Sequence, residues 1–359
     1  MHYYVLAGAL FGFYCLLMEV FKVERKVLAL SPALLCFAFF IGMRDFSIGT
    51  DTLTYVEIYK YIPTITEFLG DFSPGFHGER IEWGFFLLLS TLKELSVTPH
   101  LVLVFISFLS LMFFAASFKH LSPNYFLGMF ILTVTNLFLT FEYNIIRQGL
   151  ATSVVMFALT RLVEKRYLAY FLLTMLAMSF HVIAILSLLV FPFRNFKWQP
   201  KYLLFVFFAF VGLSFLDVLA AVVFQLRHIS IAFWRVFLYL QSSVEELKIM
   251  SWMLLSSVLL IFTCIAFVRQ IRVNFKYIDF ILTFVTIGMF GVLFTHELSV
   301  LSIRLGFLFF AIEPVLILAL LTLIKDEWPK FVILFLLTSL VLMKNIFITA
   351  QYLSPYTYF

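Results

Sequence analysis

Charge is what this 359-residue chain has least of. Asp, Glu, Lys and Arg make up 13% of it, against 63% hydrophobic residues, and mean hydropathy is +1.06. Soluble domains carry about 25% charged residues, so a water-soluble globular fold is excluded. Cysteine is almost missing. Cys15, Cys36 and Cys264 each fall in an apolar run, which leaves no disulfide framework and no zinc spacing. The chain has no Gly-rich phosphate loop, no His-Glu-x-x-His and no Asp-x-Asp pair. No nucleotide, metal or other cofactor is therefore expected. Alternating strands of about ten residues are missing too, which excludes a β-barrel. The net charge of +5 is too small to point to nucleic acid. Low-complexity tracts and internal repeats are not seen.

What is present is a series of apolar runs near span length. The expected fold class is all-α: a polytopic membrane protein of about twelve transmembrane helices in a single domain over residues 1–359. The runs are 3–20, 27–43, 100–118, 124–141, 148–163, 167–180, 182–193, 201–217, 250–268, 278–294, 305–324 and 330–348. The first has no basic segment before it and no small-residue cleavage pattern after it, so it reads as a retained span. With this assignment the short basic connectors fall on one side and hold 15 of the 25 Lys and Arg residues. That side is cytoplasmic, and both termini lie outside. Glu82–Leu95 is apolar but short and carries Lys93 and Glu94. A further span there would spoil the alternation, so a re-entrant or interfacial helix on the outer face is expected.

The unusual residues gather on that outer face, in loops 44–99 and 218–249 and in the turns between spans. Arginines there run against the positive-inside bias and need a reason: an anionic ligand, or loop carboxylates. Arg147 is the sharpest signal. A guanidinium is a permanent planar fork suited to phosphate, and the start of a helix adds favourable dipole; the bland alternative is an ion pair with Glu142. Arg304 and Arg44 repeat the pattern, with snorkelling to headgroups as the competitor. Asp51 either caps a helix through the amides of Leu53 or Thr54, or serves as sugar ligand or base. Tyr55, Glu82 and Trp83 suit a carbohydrate wall. His181 follows Phe180 at a short turn and can act as base or hold a hydroxyl. Two apolar runs separate it from Arg147, and a helical hairpin would bring the two together. Glu313-Pro314 lies within a span, where a kink is expected. Its carboxyl reads as a proton relay, a brace for an arginine or a neutral acid.

Taken in order, Arg44 with Gly49-Thr50-Asp51 and Tyr55, Glu82-x-Gly84-Phe85, Asn144-x-x-Arg147-Gln148-x-x-Ala151, Phe180-His181 and Arg304 form a set. The set resembles the EpsG/Wzy-type polysaccharide polymerases of bacterial inner membranes over about residues 30–310. The resemblance implies a multi-pass inner-membrane glycosyltransferase with a substrate cavity open to the periplasmic face. Its donor and acceptor would be oligosaccharide repeat units carried on undecaprenyl diphosphate. Membrane lipids and a chain-length regulator are the other partners it implies. On this reading Arg147, Arg304 and Arg44 hold the diphosphate, and His181, Asp51 or Glu142 takes the acceptor proton. Tyr55, Glu82, Trp83, Asn144, Gln148 and Arg235 contact sugar. The rivals are an O-antigen ligase-like transferase and a flippase or transporter for the lipid-linked sugar.

Overall fold

The computed structural model describes residues 2–23, 26–49, 51–70, 81–215, 225 and 247–344. Every regular element among them is helical. The chain divides into two compact units, Met1–Ile185 with Asp326–Phe359, and Leu186–Lys325.

The first unit holds α1 (His2–Val20), α2 (Lys26–Gly42), α3 (Thr52–Tyr61), α4 (Ile65–Gly70), α5 (Trp83–Glu94) and α6 (Pro99–Leu121). It continues with α7 (Tyr125–Val134), α8 (Asn136–Tyr143), α9 (Ile146–Val163) and α10 (Tyr167–Phe180). At its centre is α9, packed on α6 and on α10. Its buried face carries Gly149, Ala151, Thr152, Ser153 and Ala158, and small side chains let neighbouring backbones approach closely where lipid removes the hydrophobic drive. The pattern of α10 is inside-out. Tyr170, Thr174 and Ala177 are buried, while Leu168, Leu172, Met175 and Leu176 are exposed. A water-soluble helix does the reverse; this one presents its apolar face to lipid.

By length and composition, α6 and α9 can each cross a membrane. At 1.5 Å per residue, the 23 residues of α6 reach about 35 Å, against about 30 Å of hydrocarbon. Three bent pairs raise the number to five if each is one span. The first is α7–α8, bent by 71°. Thr135 ends one helix and starts the next: its Oγ1 donates to the Leu132 carbonyl (2.7 Å) and accepts from the Phe138 N–H (3.3 Å). One hydroxyl serves both helix ends, so the expected continuous span 124–141 is broken here. The expected span 182–193 also departs from a regular α-helix. Val182–Val190 is a 3₁₀ helix, a form that rises about 2.0 Å per residue, in a run where β-branched Val182, Ile183 and Ile185 disfavour the α form. The twelve expected spans are thus matched only in part.

Helix α5 has 12 residues, or about 18 Å at 1.5 Å per residue, too short to span. Its charges are tied to the elements beside it. Lys93 Nζ donates to the Lys60 carbonyl (2.8 Å) and the Ile62 carbonyl (2.5 Å) at the end of α3. Glu94 accepts from the Thr66 N–H (3.2 Å) and hydroxyl (2.9 Å). These bonds, the amide first, hold the Glu94 carboxyl below its ordinary value of 4.5. A lowered carboxylate contributes above its unfolded pKa and is lost as pH falls through its folded one. The α4–α5 link is therefore expected to stay closed at neutral pH and to open only well below 4.5. Exchange of the Thr66 amide against pH measures this, and Glu94→Gln should remove the dependence.

The second unit contains α11 (Leu203–Ser214), α12 (Leu247–Ala266), α13 (Val268–Asn274), α14 (Ile278–Phe294), α15 (Ser299–Phe310) and α16 (Glu313–Leu321). The α12–α13 pair bends by 78° and α15–α16 by 44°. The second bend meets the expectation for Pro314, which sits in the first turn of α16, where its missing N–H costs nothing. Glu313 lies near Ser257 and Cys264. Asp279 is 4% exposed and accepts from Arg272 Nε (2.8 Å) and Nη2 (2.7 Å), and from the Trp198 N–H (2.9 Å). This bidentate pair fastens α14 to the chain around Trp198 and is structural. The last helix, α17 (Glu327–Lys344), returns to the first unit.

Candidate active site

The site is a meeting of helix ends in the first unit. Arg147 is the second residue of α9, and Glu82 immediately precedes α5. Glu82 Oε2 accepts from Arg147 Nη1 at 2.7 Å, with each side chain 21% exposed. The other carboxylate oxygen, Oε1, accepts from the Val182 N–H at 3.3 Å. One carboxylate thus ties the start of α9 to the turn that follows α10. The hairpin α9–α10 does bring Arg147 and His181 to one end, and Glu82 is the link. The ion pair weighed for Arg147 with Glu142 is replaced by this one.

Aromatic rings flank the guanidinium. Arg147 Cζ lies 5.7 Å from the Tyr55 ring centroid and 6.0 Å from that of Phe85, within cation–π range. Tyr55 and Phe85 meet edge-on with centroids 6.0 Å apart. An arginine so flanked keeps its plane fixed, and orientation is what a fork needs to read an anion. Placement of Glu82 depends on Gly84. A Cβ there would run into the Ser179 side chain near the end of α10, so only glycine lets α5 approach closely enough for its first residues to touch Val182.

Arg44 stands apart from this pair. It is 2% exposed. Its Nη1 donates to the Ile41 carbonyl (3.1 Å) and its Nη2 to Thr52 Oγ1 (3.0 Å), with Cζ 5.2 Å from the Tyr143 ring. Thr52, fully buried, lies within 2.7 Å of the Ile48 carbonyl and 3.1 Å of the Tyr143 carbonyl. Gly49 has φ +90° and its α-carbon faces the Tyr143 carbonyl. Together these fold the loop after α2 onto the corner between α8 and α9. Glu142 is also 2% exposed. It lies beside Ser107 and near Arg44.

Asp51 occupies the N-cap of α3, but no side-chain capping bond forms. The capping role weighed for it is therefore not taken up. One turn on, Tyr55 lies on the same side of α3 and meets Arg147. His181 caps the end of α10 in extended backbone and is 6% exposed. Its Nδ1 accepts from the Ile183 N–H at 3.3 Å, so the neutral ring carries its proton on Nε2 and offers a donor there. Trp83 is 67% exposed. It forms an aromatic shelf with Phe68 and Phe86, at centroid distances of 6.0 and 5.9 Å. Asn144 ends α8, and Gln148 is buried in the first turn of α9. Arg304 is exposed on α15 in the second unit. Arg235, like Thr50, lies outside the described residues.

Sequence reasoning put Arg147 and His181 at one end of a hairpin and named Glu82, but did not join Glu82 to them. It missed Thr52, Tyr143 and Ser179 altogether. The only advance signal was the polar run Asp51-Thr52 after a glycine; Tyr143 and Ser179 look like any other membrane side chain. Among the described residues no group of His, Cys, Asp or Glu has the geometry to hold a metal ion.

No curated protein and no solved structure matches the chain. A family model does, over residues 27–358, nearly the whole length. Apolar helices built for lipid agree with that match: the chain is a member of the EpsG family of Wzy-type polysaccharide polymerases.

Proposed function

We propose that the protein joins oligosaccharide repeat units carried on undecaprenyl diphosphate, at the outer leaflet of the bacterial inner membrane. The observation that carries this reading is Arg147. It is a permanent cation at a helix start, partly accessible, oriented by Tyr55, Phe85 and Glu82, and set beside the His181 turn. The reading rests on the first unit and on membership of the family.

In the proposed step an acceptor sugar hydroxyl attacks the anomeric carbon of the donor. A carbon–oxygen bond forms there as the bond to the diphosphate breaks. The diphosphate leaves with the electron pair, and negative charge grows on it. Arg147 stabilises that charge, and a fixed cation does so without reorganisation. The His181 Nε2–H serves as a second donor to the leaving group or holds the hydroxyl. Asp51, at the start of α3 and one turn from Tyr55, takes the acceptor proton. Arg44 and Glu142, both deeply buried, brace the loop that carries Asp51. Trp83, Phe68 and Phe86 offer a face for sugar stacking.

The test is direct. Purified protein in lipid is incubated with the lipid diphosphate-linked repeat unit, without nucleotide, and the product is run on a gel. A ladder of longer glycans is expected. Unchanged single units from protein that binds the lipid would overturn the reading. Transfer to an added lipid A core would then identify a ligase, and movement of the lipid across the bilayer a flippase.

A further inference from the structure

The Arg147–Glu82 pair poses a question that polymerisation does not answer. An unopposed cation binds an anion most strongly, yet here a carboxylate accepts from Arg147 at 2.7 Å. The pair is not sealed in the core, since each side chain is 21% exposed. An incoming anion can therefore reach it, while the aromatic walls of Tyr55 and Phe85 keep water from screening it fully. In such a setting charge balance decides which anions bind.

The surroundings make that decision matter. A protein with so much exposed apolar surface lies among lipid headgroups. Bacterial-type anionic phospholipids carry a phosphodiester with one negative charge, and their local concentration is far above that of any lipid-linked sugar. A bare arginine fork at a helix start binds a phosphodiester well and would be occupied by bulk lipid. With Glu82 in place the resting pair is neutral overall. A singly charged headgroup gains little by displacing a carboxylate that already matches it. A diphosphate carries more charge and more acceptor oxygens, so it competes.

We propose that Glu82 is a specificity-determining residue: as an internal anion on Arg147, it excludes singly charged phospholipid headgroups and admits a diphosphate. Its second oxygen, on the Val182 N–H, keeps the carboxylate in place when Arg147 turns to the substrate. This inference rests on Arg147 being the diphosphate ligand.

The experiment uses the full chain in nanodiscs of zwitterionic lipid, with phosphatidylglycerol added stepwise. Binding of undecaprenyl diphosphate is measured for the wild type, Glu82→Gln, Glu82→Ala, Glu82→Asp and Arg147→Ala, with thermal stability read in parallel. The wild type and Glu82→Asp should bind the diphosphate equally at every phosphatidylglycerol content. Glu82→Gln and Glu82→Ala should bind as well or better in zwitterionic lipid and lose about tenfold or more as phosphatidylglycerol rises. Two neutral variants guard against a folding defect in either. If both neutral variants ignore phosphatidylglycerol while Arg147→Ala fails to bind the diphosphate, Glu82 does not select and the site assignment stands. If Arg147→Ala binds like the wild type, the site assignment itself falls, and the selectivity role with it.

Discussion

Arg147→Ala is expected to lower polymerisation by about 10²–10³-fold, the range for removing one fixed donor from a developing oxyanion. Cells carrying it should accumulate single repeat units. The variant also strips Glu82 of its partner, so part of the loss would be structural unless controlled. Two further variants separate the effects. Arg147→Lys keeps the charge but not the planar fork, and should fall between wild type and alanine. Arg147→Ala with Glu82→Gln removes both charges, so stability should return towards the wild type while activity stays low. Glycan ladders and melting temperatures on the same samples give the comparison. A normal ladder from Arg147→Ala would remove this residue from the mechanism.

The second large effect is expected at Gly49. Its φ of +90° lies where L side chains are strained, and a Cβ would collide with the Tyr143 carbonyl. Neither obstacle yields, because the carbonyl is backbone and Thr52 closes the other side. Alanine is therefore nearly as bad here as a larger residue. Gly49→Ala should cost about 3 kcal/mol or more, combining backbone strain with displacement of the corner that precedes α9. Activity should fall with it, because Asp51 and Arg147 lie on either side of that contact. Gly212 is the control. No atom lies within 4 Å of a Cβ placed there, and it stands within α11, so Gly212→Ala should be neutral or slightly stabilising. A melting curve for Gly49→Ala equal to that of Gly212→Ala would show that the loop does not depend on this contact.

Much of the helical plan was legible because lipid imposes it. Every backbone group must be satisfied within its own segment, so long apolar runs become helices. The runs 3–20, 27–43, 148–163, 167–180 and 278–294 each coincide closely with a helix. The breaks were not legible in the same way. Hydropathy does not register a single threonine that caps two helices, as Thr135 does, or a run that tightens into a 3₁₀ form after His181. Pro314 was the exception, because proline carries its own mechanical signature.

For the site, residue chemistry carried part of the way. A permanent cation, an imidazole and carboxylates in apolar surroundings are costly enough to mark themselves, and the hairpin spacing put Arg147 and His181 at one end. Partnership could not be read. Glu82 and Glu142 are both carboxylates near the same face, and nothing in their order says that the first takes Arg147 while the second is buried beside Ser107. That choice depends on Gly84 letting α5 close on Ser179, and on Thr52 drawing Arg44 towards Tyr143. Sequence alone determined that this is a helical membrane protein with outlying arginines, because composition and helix length answer to the solvent. Which arginine stays partly accessible and which is locked in the core was decided only by tertiary structure, because that depends on contacts of a few ångströms between segments far apart in the chain.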